Sequence, residues 1–67
     1  MTRVDARGLR CPWPALRAAR ALREGAPIEI LADDPAAARE LAALAGAQGL
    51  DFKVIYDNRY HIGPVTS

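Results

Sequence analysis

The sequence predicts an α+β domain: a two-layer α/β sandwich in which two helices cover one face of a four-stranded sheet, in the order β-α-β-α-β-β. Three observations predict it. Short alternations of apolar and polar residues at positions 3–7 and 28–32 read as strands. Two longer stretches, 12–24 and 35–48, repeat apolar residues every three or four positions, as amphipathic helices do. Alternation then returns on both sides of Asp57 and Asn58, as a hairpin requires. The 67 residues make one domain, spanning positions 1–67. A chain near this length buries only about 60% of its unfolded surface, which excludes a deep pocket walled on all sides.

The elements follow in order. In the first strand, Arg3 to Arg7, Val4 and Ala6 share a face, and Gly8 supplies a turn. Helix runs from Pro12 to Glu24 and stops at Gly25. At 100° per residue, Ala15, Ala18, Ala19 and Leu22 form its buried arc, while Trp13, Arg17, Arg20 and Glu24 fall on the opposite face. The second strand, Ile28 to Ala32, turns Ile28, Ile30 and Ala32 to one side. Asp34 is a helix cap and Pro35 suits the first helical position. The alanine-rich helix then continues to about Gln48, with a core stripe of Ala37, Ala38, Leu41, Leu44, Ala45 and Gln48. Gly49 ends it in a left-handed conformation, and Leu50 folds back as a hydrophobic cap. For the hairpin, a three-residue loop pairs Tyr56 with Tyr60, Val54 with Ile62 and Phe52 with Pro64. It leaves Lys53, Ile55, Asp57, Arg59 and His61 on the other face. Leu31 and Ile55, on the open side of the sheet, are candidates for a dimer or partner contact or are scattered surface apolar residues.

Composition narrows the function classes. Apolar residues make up 51% and charged residues 25%, which argues against disorder. Nine basic and eight acidic residues leave a net charge of +1, less than a nucleic-acid binder usually carries. The runs of uncharged residues are far shorter than the roughly 20 apolar residues of a membrane span. The segment MTRVDARGLR has no apolar core of signal-peptide type, so a cytoplasmic location is expected. With one cysteine, Cys11, neither an internal disulfide nor a multi-cysteine zinc site can form.

The informative segment is GLRCPWP, residues 8–14. Placing Pro12 at the first helical position makes Cys11 the N-cap, with Pro14 still inside the first turn. The prolines remove two amides, and the Trp13 amide is then the natural donor to the sulfur. Thiolate is favoured at the positive end of a helix. Arg10, and Arg7 upstream, add positive potential. Dipole and cation are each worth roughly 0.3–1 kcal/mol. At about 1.4 kcal/mol per pKa unit, the thiol is expected about one unit below its free value. Position thus predicts an exposed, reactive thiol, against the common fate of free cysteine as a small buried hydrophobe. Trp13 is either a partner-binding hot spot beside that thiol or folds back over the sheet edge. Arg17 and Arg20 form a solvated face first and an acidic-partner patch second. His61 reads as a strand surface residue, since one His and one Cys on distant segments make no metal site. Asp33 and Asp34 read as a cap rather than a catalytic carboxylate pair. Asp5 either ties down the loop before the thiol or is simply solvated.

The stretch VDARGLRCPWPALRAARAL resembles the signature of the TusA/SirA-like sulfur carrier proteins, marked by Cys-Pro-x-Pro opening the first helix. Here that is Cys11, Pro12, Trp13 and Pro14, preceded by Asp5, Gly8 and Leu9. ILADDPAAARELAALAGAQG resembles the family's second strand and second helix, with the Asp-Pro start at Asp34 and Pro35. The resemblance covers nearly the whole chain. It implies a four-stranded mixed sheet and a cytoplasmic carrier that holds sulfur covalently, as a persulfide on Cys11, with no separate cofactor and no metal. It implies a donor cysteine desulfurase or rhodanese-type protein and an acceptor protein in tRNA thiolation, molybdenum cofactor maturation or sulfur oxidation. The carrier acts by persulfide transfer rather than as a stand-alone catalyst, without membrane or direct nucleic-acid contact. A monomer is expected, with a weak dimer as the alternative. Many relatives end the last strand in basic residues, whereas this chain reads HIGPVTS.

Two other classes compete. A dithiol redox protein wants a second cysteine where Pro14 stands. A regulatory or RNA/protein-binding module would carry Cys11 as a passenger and would tolerate Cys11→Ser.

Overall fold

The computed structural model describes residues 2–65, so the end of HIGPVTS, Thr66 and Ser67, lies outside the described residues. The elements are β1 (Thr2–Asp5), α1 (Trp13–Glu24), β2 (Ile28–Leu31), α2 (Ala37–Ala47), β3 (Asp51–Tyr56) and β4 (Arg59–Gly63). The sheet has the order β1-β2-β4-β3. β1 and β2 are parallel, as a strand pair joined through a crossover helix must be, and β4 is antiparallel to both β2 and β3. The sheet is therefore mixed. α1 packs on β1 and β2, α2 on β3 and β4, and the helices pack side by side.

Alternation decides the core. Ile28 and Ile30 are fully buried from β2, joined by Ala32 just beyond it, by Ile62 from β4, and by Ala18 and Leu41 from the helices. The α2 stripe holds for Ala37, Leu41 and Ala45, which are buried, and for Ala38 and Leu44, which pack against them. Gln48 is a correction: it is exposed at the helix end, where its amide caps backbone carbonyls of the last turn. Gly49 takes φ +71°, and the Leu50 amide reaches back 2.8 Å to the Ala45 carbonyl, so the helix stops as the glycine predicts.

The hairpin register is also corrected. Tyr56 pairs with Arg59 across a two-residue turn at Asp57 and Asn58, with Asn58 at φ +61°. A bulge between Val54 and Tyr56 then restores apolar pairing: Val54 faces Tyr60 and Phe52 faces Ile62, where the three-residue loop gave Ile62 and Pro64. The extra residue lets a tight turn and a clean apolar face coexist, with Phe52 stacked on Tyr60 at 5.7 Å. Tyr56 moves to the row of Arg59 and is exposed.

The face away from the helices carries a cross-strand row of Arg3, Glu29, His61 and Lys53. The Arg3 guanidinium lies 2.9 Å from the Glu29 carboxylate and covers it. Leu31 is half-buried beside this row and Ile55 is exposed. No helix among the described residues is long and apolar enough to cross a membrane.

Candidate functional site

Residues 6–12 bridge the end of β1 and the start of α1, on the same edge of the sandwich as the turn that opens α2. Each polar contact that shapes the bridge has a local cause. The Ala6 amide extends the β1–β2 ladder by donating to the Leu31 carbonyl at 2.7 Å. Asp5 accepts from the Arg7 amide at 3.1 Å and holds the Arg7 guanidinium at 2.9 Å. The hydrogen bond from Arg7 and its positive charge hold the Asp5 carboxyl at about 2. Arg7 is thus engaged by Asp5 and adds no free positive potential to the thiol. Gly8 turns the chain at φ +82°, where a side chain would be strained.

The bridge is then tied down from across the fold. Asp33 accepts from the Gly8 amide at 2.9 Å, and Asp34 accepts from the Cys11 amide. The other Asp34 oxygen accepts from the Ala36 amide at 2.9 Å, but α2 begins at Ala37, with Ala36 in the cap position and no side chain capping it. The reading of Asp34 as the cap and Pro35 as the first helical residue is therefore corrected: both lie in the turn before the helix. These backbone hydrogen bonds keep the Asp34 carboxyl below its ordinary range. Both aspartates therefore serve the loop that carries the cysteine, a role the reading as a cap did not include. A shallow cleft of about 280 Å³ lies between the two segments, lined by Gly8, Leu9, Arg10, Asp33, Asp34 and Pro35.

Cys11 is exposed at the head of α1. Its placement as the N-cap is corrected: α1 begins at Trp13, Pro12 occupies the cap position, and no side chain caps the helix. The Trp13 amide, expected to face the sulfur, donates instead to the Arg10 carbonyl at 2.8 Å, and Leu16 closes the first helical turn on the Pro12 carbonyl. Pro14 is buried in that turn.

The expected direction of the thiol pKa is also overturned. The Cys11 thiol donates to the Glu40 carboxylate, and this hydrogen bond raises its pKa. Partial desolvation and the negative charges of Glu40 and Asp34 push the same way, while Arg39 opposes them weakly. A carboxylate in contact outweighs a helix end whose Trp13 amide is already taken by the Arg10 carbonyl. Sequence reasoning missed Glu40. Its position three residues after Ala37 and four before Leu44 places it at the border of the buried stripe, turned toward α1 rather than to open solvent.

Trp13 is 57% exposed and Leu16, one turn along, is 52% exposed. Arg17 and Arg20 are exposed, and Arg20 lines a shallow groove with Leu16, Ala19 and Arg23. Trp13 thus stands out beside the thiol rather than folding into the core. His61 lies on the opposite face of the sheet and is not brought to Cys11. Among the described residues, no group of three His, Cys, Asp or Glu side chains could hold a metal ion.

A small mixed-sheet sandwich with one tethered, exposed cysteine before its first helix defines a narrow class. The profile described as Sulfurtransferase TusA matches residues 2–62, and the chain belongs to that family. A protein of Archaeoglobus fulgidus, provisionally described as a sulfur carrier protein, is 43% identical over 63 residues, covering 85% of this chain and 82% of its own. The crystal structure of a SirA-like protein from Desulfitobacterium hafniense superposes with a TM-score of 0.73 at 26% identity, covering 92% of each chain.

Proposed function

We propose that this chain is a cytoplasmic sulfur carrier. Cys11 accepts a sulfur atom as a persulfide from a cysteine desulfurase or rhodanese-type donor and yields it to an acceptor protein of a sulfur relay. The observation that carries this reading is the exposed Cys11 on a loop fixed by Asp33 and Asp34, in a chain that matches the TusA family over residues 2–62. A carrier must present its sulfur to two different proteins in turn. An exposed thiol on a braced loop, with a shallow cleft beside it rather than an enclosing pocket, suits that task. The acceptor branch is tRNA thiolation, molybdenum cofactor maturation or sulfur oxidation. Sulfur travels bound covalently to Cys11, with no separate cofactor.

Trp13, Arg17 and Arg20 form the docking face in this reading. An exposed tryptophan gives contact area at small entropic cost, and the arginines select acidic partners. Pro12 and Pro14 fix the start of α1, Gly8 and Asp5 shape the loop, and Arg10 sits at the cleft.

Incubation with a cysteine desulfurase and cysteine, followed by mass spectrometry, tests the reading. The peptide that holds Cys11 should gain the mass of one sulfur atom and lose it on reduction. Cys11→Ser should abolish the gain without unfolding the domain, since the side chain is exposed. A wild type that gains no sulfur from several donors, or a serine variant active in cells, would favour a regulatory or RNA/protein-binding module instead.

A further inference from the structure

We propose that Glu40 is the proton acceptor of Cys11 and therefore a catalytic residue of sulfur transfer. This rests on the reading of Cys11 as the sulfur-bearing residue. The Cys11 thiol donates to Glu40 Oε2, from a position 29 residues away in sequence. The other oxygen, Oε1, is buried and finds no hydrogen-bond partner among the described residues. A buried acceptor without a partner is costly, and the thiol hydrogen is the one side-chain partner given for the Glu40 carboxylate among the described residues. Here one oxygen has no partner and the other holds the thiol hydrogen. Glu40 lies in the first turn of α2, where the helix dipole favours an anion.

The charged groups around the sulfur are Glu40 and Arg39 from α2, Asp34 from the turn before it, and Arg10 from its own loop. Carboxylates dominate this set, and with the Glu40 hydrogen bond they favour the protonated thiol over the thiolate. A protonated thiol is a poor nucleophile, and the attack needs a base in contact. In the step, the Cys11 proton passes to Glu40 Oε2 while the sulfur lone pair attacks the outer sulfur of the donor persulfide, R–S–SH. A new sulfur–sulfur bond forms at Cys11 and the donor's own bond breaks. Its electron pair stays on the donor sulfur, which takes the proton from Glu40. The products are Cys11–S–SH and R–SH, and no external oxidant or reductant enters.

Two pH profiles test the proposal. One is single-turnover sulfur uptake from glutathione persulfide, and the other is alkylation by iodoacetamide, for wild type, Glu40→Gln and Glu40→Asp. Wild-type uptake should be nearly flat through neutral pH. Glu40→Gln should lose about 100-fold near the acidic end and climb about tenfold per pH unit as thiolate forms. Glu40→Asp should recover part of the loss. The alkylation midpoint of Glu40→Gln should fall below that of wild type, because the carboxylate that holds the proton is gone. Uptake by Glu40→Gln with the wild-type pH profile, or an unmoved alkylation midpoint, overturns the proposal. A wild type that takes up no sulfur overturns the carrier reading and the transfer step with it. A midpoint that still falls in Glu40→Gln would then support Glu40 as holder of the Cys11 proton.

Discussion

Gly63 ends β4 against a wall. A methyl group built on it would lie 2.8 Å from the Pro27 Cβ and 2.9 Å from the His61 Cε1. Carbon atoms in good contact sit about 3.5–4.0 Å apart, so Gly63→Ala must displace one neighbour or both. The Pro27 atom belongs to a rigid ring, whereas His61 can rotate. Overpacking of this kind costs roughly 1–3 kcal/mol. The stability of a domain this size is about 3–10 kcal/mol in all. The midpoint of thermal unfolding moves about 4–8 °C per kcal/mol at this length, so a fall of roughly 5–20 °C is expected. Circular dichroism melts of wild type, Gly63→Ala and the double variant with His61→Ala measure it. His61→Ala should return part of the loss in the double variant, because it clears one of the two collisions. A Gly63→Ala variant that melts with wild type would refute the reasoning from contact distances.

Two further outcomes follow from exposure and charge. Trp13→Ala should leave the melting temperature nearly unchanged, because the ring is more than half exposed, while slowing sulfur transfer to or from protein partners. A large loss of stability would make Trp13 a packing residue instead. Asp5, with its carboxyl held down at about 2, contributes stability that is present above its unfolded value of 3.8 and is lost as pH falls through about 2. Carboxyl NMR titration should put its midpoint near 2, and Arg7→Ala should return it toward 3.8.

The order of elements is legible because each carries its own local signal. Ile28, Ile30 and Ala32 alternate, Asp34 and Pro35 stand in the turn just before α2, and Gly49 stands just after it, each signal lying within a few residues. The hairpin was legible only in part. Its apolar partners Phe52, Val54, Tyr60 and Ile62 were apparent, but a pattern of strict alternation has no place for the extra residue of a bulge. The chemistry of Cys11 was the least legible. Its local surroundings, two prolines and an arginine, point to a stabilised anion. What decides the direction is Glu40, brought in by the packing of α2 beside α1. Helical spacing places a residue on a face of its own helix and says nothing of which residue stands opposite.

The bulge in β3 has a consequence for how the protein behaves in a crowded solution. β3 is an outer strand of the sheet, and Val54, Ile55 and Tyr56 are all exposed along it. A straight outer strand with that composition offers an unbroken row of free amides and carbonyls to any other extended chain, the usual start of polymerisation. The irregularity between Val54 and Tyr56 breaks that row at its most apolar point, and Lys53 sets a charge just before it. The opposite margin, β1, is only four residues long and carries Arg3 and Asp5. Both margins are thereby poor templates for a further strand.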